Sequence, residues 1–159
     1  MAIYCEAQTR YEGTDPAVFL AGGITGCPDW QAEARRELDA LPIAILNPRM
    51  ADFPIHDPGA APAQIAWEFE HLRRADVVLF WFPDSGPVVQ PIVLYELGAH
   101  AAAGKPIAVG CDPGYARRVD VVLQLGHVRP EVVVRDTLGA VCADVRTLVA
   151  GLATGTRSP

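Results

Sequence analysis

Short stretches of uninterrupted apolar residues recur along this chain, each followed by a longer segment of helical character. Residues 17–21 (Ala-Val-Phe-Leu-Ala), 43–46 (Ile-Ala-Ile-Leu), 76–82 (Asp-Val-Val-Leu-Phe-Trp-Phe), 106–110 and 131–134 read as strands. A strand without polar alternation must be covered on both faces, which is the condition of a parallel sheet flanked by helices. The segments 29–40, 62–74, 91–103, 115–125 and 136–152 supply those helices. Asp29 is placed to cap the first, Pro62 falls near the first turn of the second, and Gly104 closes the third. In the second, Ile65, Phe69 and Leu72 make an apolar stripe at i, i+4 and i+7.

Five parallel strands in 159 residues specify an α/β fold: a single doubly wound, flavodoxin-like domain over residues 1–153, with 154–159 as a flexible tail. Ile3–Cys5 is a candidate further edge strand. In such sheets ligands bind beyond the carboxyl ends of the strands, at the switch point between the first and third strands. That rule sets the turn Gly22, Gly23, Ile24 and Thr25 beside Pro83, Asp84 and Ser85, and makes both loops candidates for ligand contact.

Composition removes several classes of function. Thirteen basic against 19 acidic residues, a net charge of −6, argue against a nucleic-acid partner, because phosphate backbones are bound by many Lys and Arg. The longest stretch without a formal charge, 16–28, is too short and too glycine-broken to cross a bilayer. Met1–Glu6 has no basic or apolar signal region. Four single cysteines (5, 27, 111, 142) and four scattered histidines match no metal spacing and read as free thiols of a cytoplasmic protein, with no metal. No GxGxxG, GKS or G-x-S-x-G pattern is present, so no nucleotide cofactor is expected.

Two carboxylates stand out. Glu96 is the one formally charged residue between Asp84 and Lys105, and it sits in a helix that is apolar nearly all round. Burying such a group is costly unless it is paired or put to use. Glu68 falls within the core stripe of helix 62–74, where an apolar residue belongs. Either could end in a structural pair. Together they could supply the nucleophile and the acid of glycosyl chemistry.

The chain resembles the nucleoside 2-deoxyribosyltransferase-like family over roughly residues 17–125. The resemblance is carried by Phe19-Leu20-Ala21-Gly22-Gly23-Ile24, Asp29-Trp30, Leu46-Asn47-Pro48-Arg49, Gln64-Ile65-Ala66-Trp67-Glu68, Ala75 to Phe82, Leu94-Tyr95-Glu96-Leu97-Gly98, Gly104-Lys105-Pro106-Ile107 and Cys111 to Tyr115, in that order. It implies a flavodoxin-like fold and cleavage of an N-glycosidic bond, with Glu96 as nucleophile and Glu68 serving the leaving base. Well-studied transferases carry an Asp six residues before the nucleophile, which helps to hold the sugar. Related nucleotide hydrolases carry a Ser there for the phosphate. Here the residue is Gln90. The tail 154–159 lacks the aromatic that family transferases contribute to a neighbouring subunit's site.

The expected activity is double displacement on a nucleoside or nucleotide, with transfer of the (deoxy)ribosyl group to a free nucleobase. The alternatives are an N-glycosidase that uses water, and a non-catalytic nucleotide-binding module. Trp30, Trp67 and Phe82 are candidates to stack on the base or to pack in the core. Gly22 to Thr25, Asn47 and Arg49 are candidates to contact sugar or base, and Gln90 occupies the sugar-holding position. Ile92, Val93, Leu94, Tyr95 and Leu97 point around the full circumference of their helix, which predicts a homo-oligomer, a dimer or higher.

Overall fold

The structure, a computed structural model, describes residues 1–52, 54 and 56–154. Its sheet is built from β1 (Ile3–Glu6), β2 (Ala17–Gly22), β3 (Ala44–Asn47), β4 (Val77–Phe82), β5 (Ile107–Cys111) and the short β6 (Val134–Arg135). The strand order is β1-β3-β2-β4-β5-β6, and every pair is parallel. Starting at β2, the chain steps outward to β3 and then crosses back to β4 on the other side, which is the doubly wound, flavodoxin-like order. The candidate strand at the N-terminus forms and closes the β3 edge.

Among the described residues five helices cover the sheet: α1 (Trp30–Leu38), α2 (Ala60–Arg74), α3 (Pro91–Ala102), α4 (Arg118–Val128) and α5 (Leu138–Thr154). Alternation along the strands divides the core in two. Val18, Leu20, Ile45, Leu79 and Trp81 pack with Trp30, Ala34 and Leu38 of α1 and Val141, Val145 and Val149 of α5. Phe19, Ala21, Leu46, Phe80 and Phe82 pack with residues of α2, α3 and α4 on the opposite face. The Asp29 side chain accepts from the Ala32 N–H and starts α1 as an N-cap should. No helix among the described residues is long and apolar enough to cross a membrane.

Three sequence expectations are corrected. The last strand lies at 134–135 rather than 131–134. α5 runs through Thr154, so helix continues into the first residue of the expected tail, and 155–159 lie outside the described residues. The third correction concerns α2, whose inner face is not Ile65, Phe69 and Leu72. Ile65 and Phe69 are exposed, whereas Trp67, His71 and Leu72 are buried.

The reason lies in the segment before β2. The Trp67 indole N–H donates to the Thr9 carbonyl, and the Tyr11 N–H donates to His71 Nε2. On its other side, His71 Nδ1 sits 2.8 Å from the Trp67 carbonyl. The two rings stack with centroids 4.0 Å apart. α2 thus packs against a polar but satisfied stretch of chain as well as against the sheet, and its buried stripe is rotated accordingly.

Candidate active site

β2 ends in Gly22 at the switch point, and the turn after it runs under the start of α3. Gly22 is required there: a β-carbon would collide with the Trp81 carbonyl and the Trp30 indole. A cavity of about 310 Å³ opens above this turn on the α2–α3 side of the sheet. Its floor is Phe19 and Ala21, and its near wall is Gly22, Gly23, Ile24 and Thr25. Glu68 enters from α2, with Pro48 beside it. Val88, Gln90, Pro91, Ile92, Val93 and Glu96 close the side formed by α3 and the loop before it.

The two carboxyls share this space from different helices. Burial, and secondarily the charge of Glu68, push the Glu96 carboxyl up to about 7. Burial also raises Glu68, against the opposing effect of the Gln64 amide, which donates to Glu68 Oε1 at 2.7 Å. No Lys, Arg or His stands among the described lining residues. Two acids without a counter-cation among the described lining residues hold one proton between them up to about pH 7, and Glu96 holds it the longer, so attack by Glu96 needs that proton to pass to Glu68 first.

Gln90 is held in the wall by both its backbone and its amide. Its backbone is left-handed (φ 50°, ψ 58°) at the N-cap of α3, an uncommon conformation for a residue other than glycine. Its Nε2 donates to the Pro83 carbonyl at 3.1 Å and to Ser85 Oγ at 2.9 Å. Ser85 Oγ donates in turn to the Val88 carbonyl, and Tyr115 Oη donates to the Val89 carbonyl at 2.6 Å, so the loop 83–90 is tied from both ends. With both amide hydrogens spent, Gln90 Oε1 is left as a buried acceptor without a partner among the described residues. A β-carbon on Gly23 would lie 2.7 Å from it.

The cavity therefore brings together Glu96, Glu68, Gly22, Gly23, Ile24, Thr25 and Gln90 of the residues singled out from sequence. The others lie elsewhere. Trp30 is on the α1–α5 face, its indole N–H donating to the Gly23 carbonyl at 2.9 Å, and so supports the turn from beneath. Trp67 stacks on His71 behind Phe19, and Phe82 packs on Tyr115. Asn47 donates to Tyr4 Oη and accepts from the Arg49 N–H. Arg49 donates to the carbonyls of Ile24, Cys27 and Pro28, and so holds the cavity turn from outside. Asp84 accepts from the Gly86 N–H.

Sequence reasoning missed Phe19 and Ala21 on the floor, Pro48, Val88, Pro91, Ile92 and Val93 on the wall, and Gln64 behind Glu68. The position of Gln64, one turn before an anomalous carboxylate on the same helix, was the available signal. Among the described residues no group of three His, Cys, Asp or Glu gathers where a metal could be held. No curated protein matches the chain. The family model described as nucleoside 2-deoxyribosyltransferase like matches residues 15–115.

Proposed function

The chain belongs to the nucleoside 2-deoxyribosyltransferase-like family, and from that membership we propose that it cleaves the N-glycosidic bond of a nucleoside by double displacement and transfers the (deoxy)ribosyl group to another base. The observation that carries this reading is the meeting of Glu96 and Glu68, from two helices, in one cavity at the switch point. Ionised Glu96 attacks C1′ while the C1′–N bond breaks through an oxocarbenium-like transition state. The bonding electrons leave with the base, whose nitrogen takes the proton of Glu68. The resulting glycosyl ester on Glu96 is then attacked at C1′ by a nitrogen of a second base. That base gives its proton to Glu68, and the Glu96 carboxylate is released with configuration retained.

The cavity's polarity supports an uncharged substrate. Two acids and no cation among the described lining residues would repel a 5′-phosphate, whereas the unpartnered Gln90 Oε1 suits a hydroxyl donor of the sugar.

The test incubates the protein with nucleosides and the matching 5′-monophosphates, with and without a second free base, and separates the products. A new nucleoside formed only with the second base is the expected result. Free sugar in both cases would make water the acceptor and the protein an N-glycosidase. Binding without turnover would leave the binding-module reading.

A further inference from the structure

We propose that Gln64 is a positioning residue for the proton of Glu68: its amide holds one carboxyl oxygen and leaves the other to carry the proton that the departing base takes. The inference rests on the reading of Glu68 as the acid and extends it to a residue outside the cavity wall.

Gln64 stands one turn before Glu68 on α2. Its Nε2 donates to Glu68 Oε1 at 2.7 Å and to the Pro48 carbonyl at 2.8 Å. An amide nitrogen has two hydrogens, so both are spent. Turning the amide over would set its oxygen against two acceptors, which fixes its orientation. Gln64 Oε1 is left buried and without a partner among the described residues. Pro48, whose carbonyl anchors the other hydrogen, itself lines the cavity. Gln64 is thus a brace between the wall of the site and its acid.

A neutral carboxyl keeps its carbonyl oxygen toward a donor and its hydroxyl on the other oxygen. With Oε1 held by Gln64, the proton resides on Oε2. When the Oε2–H bond breaks and the base nitrogen takes the proton, negative charge spreads to Oε1, and the bond from Gln64 strengthens as it does so. In the second half of the reaction Oε2 takes a proton back from the incoming base. The one other titratable group among the described lining residues is Glu96 on α3.

The experiment follows the glutamate carboxyl carbons and the glutamine side-chain amides by NMR across pH, in the wild type, in Gln64→Met, and in both again with Glu96→Gln to isolate Glu68. In the wild type, a Gln64 amide proton should titrate with the midpoint of Glu68. In Gln64→Met the Glu68 midpoint should rise by about half a pH unit or more, because the donor that favours the anion is gone. A Gln64 amide flat across the Glu68 titration, in the wild type alone, would overturn the proposal even if the variant did not fold. So would an unmoved Glu68 midpoint in a folded Gln64→Met protein. These readouts need no turnover: a protein that shows both shifts but cleaves no nucleoside would reject the enzymatic reading and keep the brace.

Discussion

Glu96 on α3, raised first by its burial, is raised further by the charge of Glu68 on α2, although a whole strand of the sheet separates the two helices in the sequence. Two acids held close enough to feel each other's charge, with no cation among the described lining residues, keep one proton between them up to about pH 7. A reaction that needs one anion and one acid at the same moment is served by that arrangement once the shared proton, which Glu96 holds the longer, has passed to Glu68.

The first consequence is the pH profile. kcat/KM should follow the singly protonated pair, falling on the alkaline side above about 7, where the last proton leaves. Glu68→Gln removes the charge that raises Glu96, so Glu96 should titrate lower in this variant. Rates should drop by about 10²–10⁴-fold for poor leaving bases, and by less for activated ones. Steady-state rates across pH and across a series of bases check this. Equal losses for every base would remove Glu68 from the acid role.

Glu96→Ala should lose more than about 10³-fold in turnover while the protein stays folded, since the covalent route depends on this one side chain. Circular dichroism and product analysis of the same sample test it. A folded variant that keeps a tenth of the activity would falsify the assignment.

Burying Glu96 also has a stability signature. Its folded pKa, about 7, lies above its ordinary 4.5. The folded protein therefore holds a proton more tightly than the unfolded chain. The stability this contributes is full below pH 4.5 and is lost as pH rises through about 7. Glu96→Gln stays neutral throughout. The variant should match the wild type near pH 4 and exceed it at pH 8 by about 1–3 kcal/mol. Urea unfolding at the two pH values measures the difference, and an equal gap at both would contradict it.

Adjacent glycines of the turn should behave differently. In Gly22→Ala the new methyl meets the Trp81 backbone carbonyl, which cannot swing aside, so the fold should lose about 1–3 kcal/mol. In Gly23→Ala it meets Cys27 Sγ at 2.5 Å and the Gln90 amide at 2.7 Å, both ends of side chains. The fold should survive, but the displaced amide should cost roughly tenfold or more in kcat/KM. Melting curves and kinetics on both variants separate the two.

Ile92 and Tyr95 on α3 and Ile65 and Phe69 on α2 are exposed. We expect them to be covered in a homo-oligomer whose interface lies beside the cavity. Sedimentation at micromolar concentration should show a dimer or higher species, and Tyr95→Lys should shift it toward monomer. A monomeric wild type with full turnover would show that one chain builds the whole site.

The strand–helix alternation and Glu96 could be read from the sequence because each is a local contrast: an unbroken apolar run, or a charge in an apolar setting, whereas Glu68 contrasts with a stripe that the fold leaves exposed at Ile65 and Phe69. The inner face of α2 could not. Counting apolar residues selects Ile65 and Phe69, but a helix packed on chain as well as on sheet can bury His71 and the polar edge of Trp67 once Tyr11 and Thr9 satisfy them. The aromatic residues fail as site markers for a similar reason. Trp30, Trp67 and Phe82 are all buried, and their faces relative to the cavity follow from strand parity and helix rotation, which a motif does not encode. Gln90 is legible as a position, but its bonds to the Pro83 carbonyl and Ser85, like those of Gln64 to the Pro48 carbonyl and Glu68, follow only from the fold.

The bonds from α2 to the stretch before β2 bear on autonomy. Thr9 takes the Trp67 indole, Tyr11 reaches His71, and Gly13 accepts from Arg74, so the helix that bears Glu68 is fastened three times to residues 9–13. All three lie upstream of the stretch shared with the family, which starts at residue 15. A fragment cut to the shared stretch would keep both carboxylates in its sequence and lose the moorings of one of them. The portion by which kinship is recognised is therefore smaller than the portion that must fold for the two acids to meet.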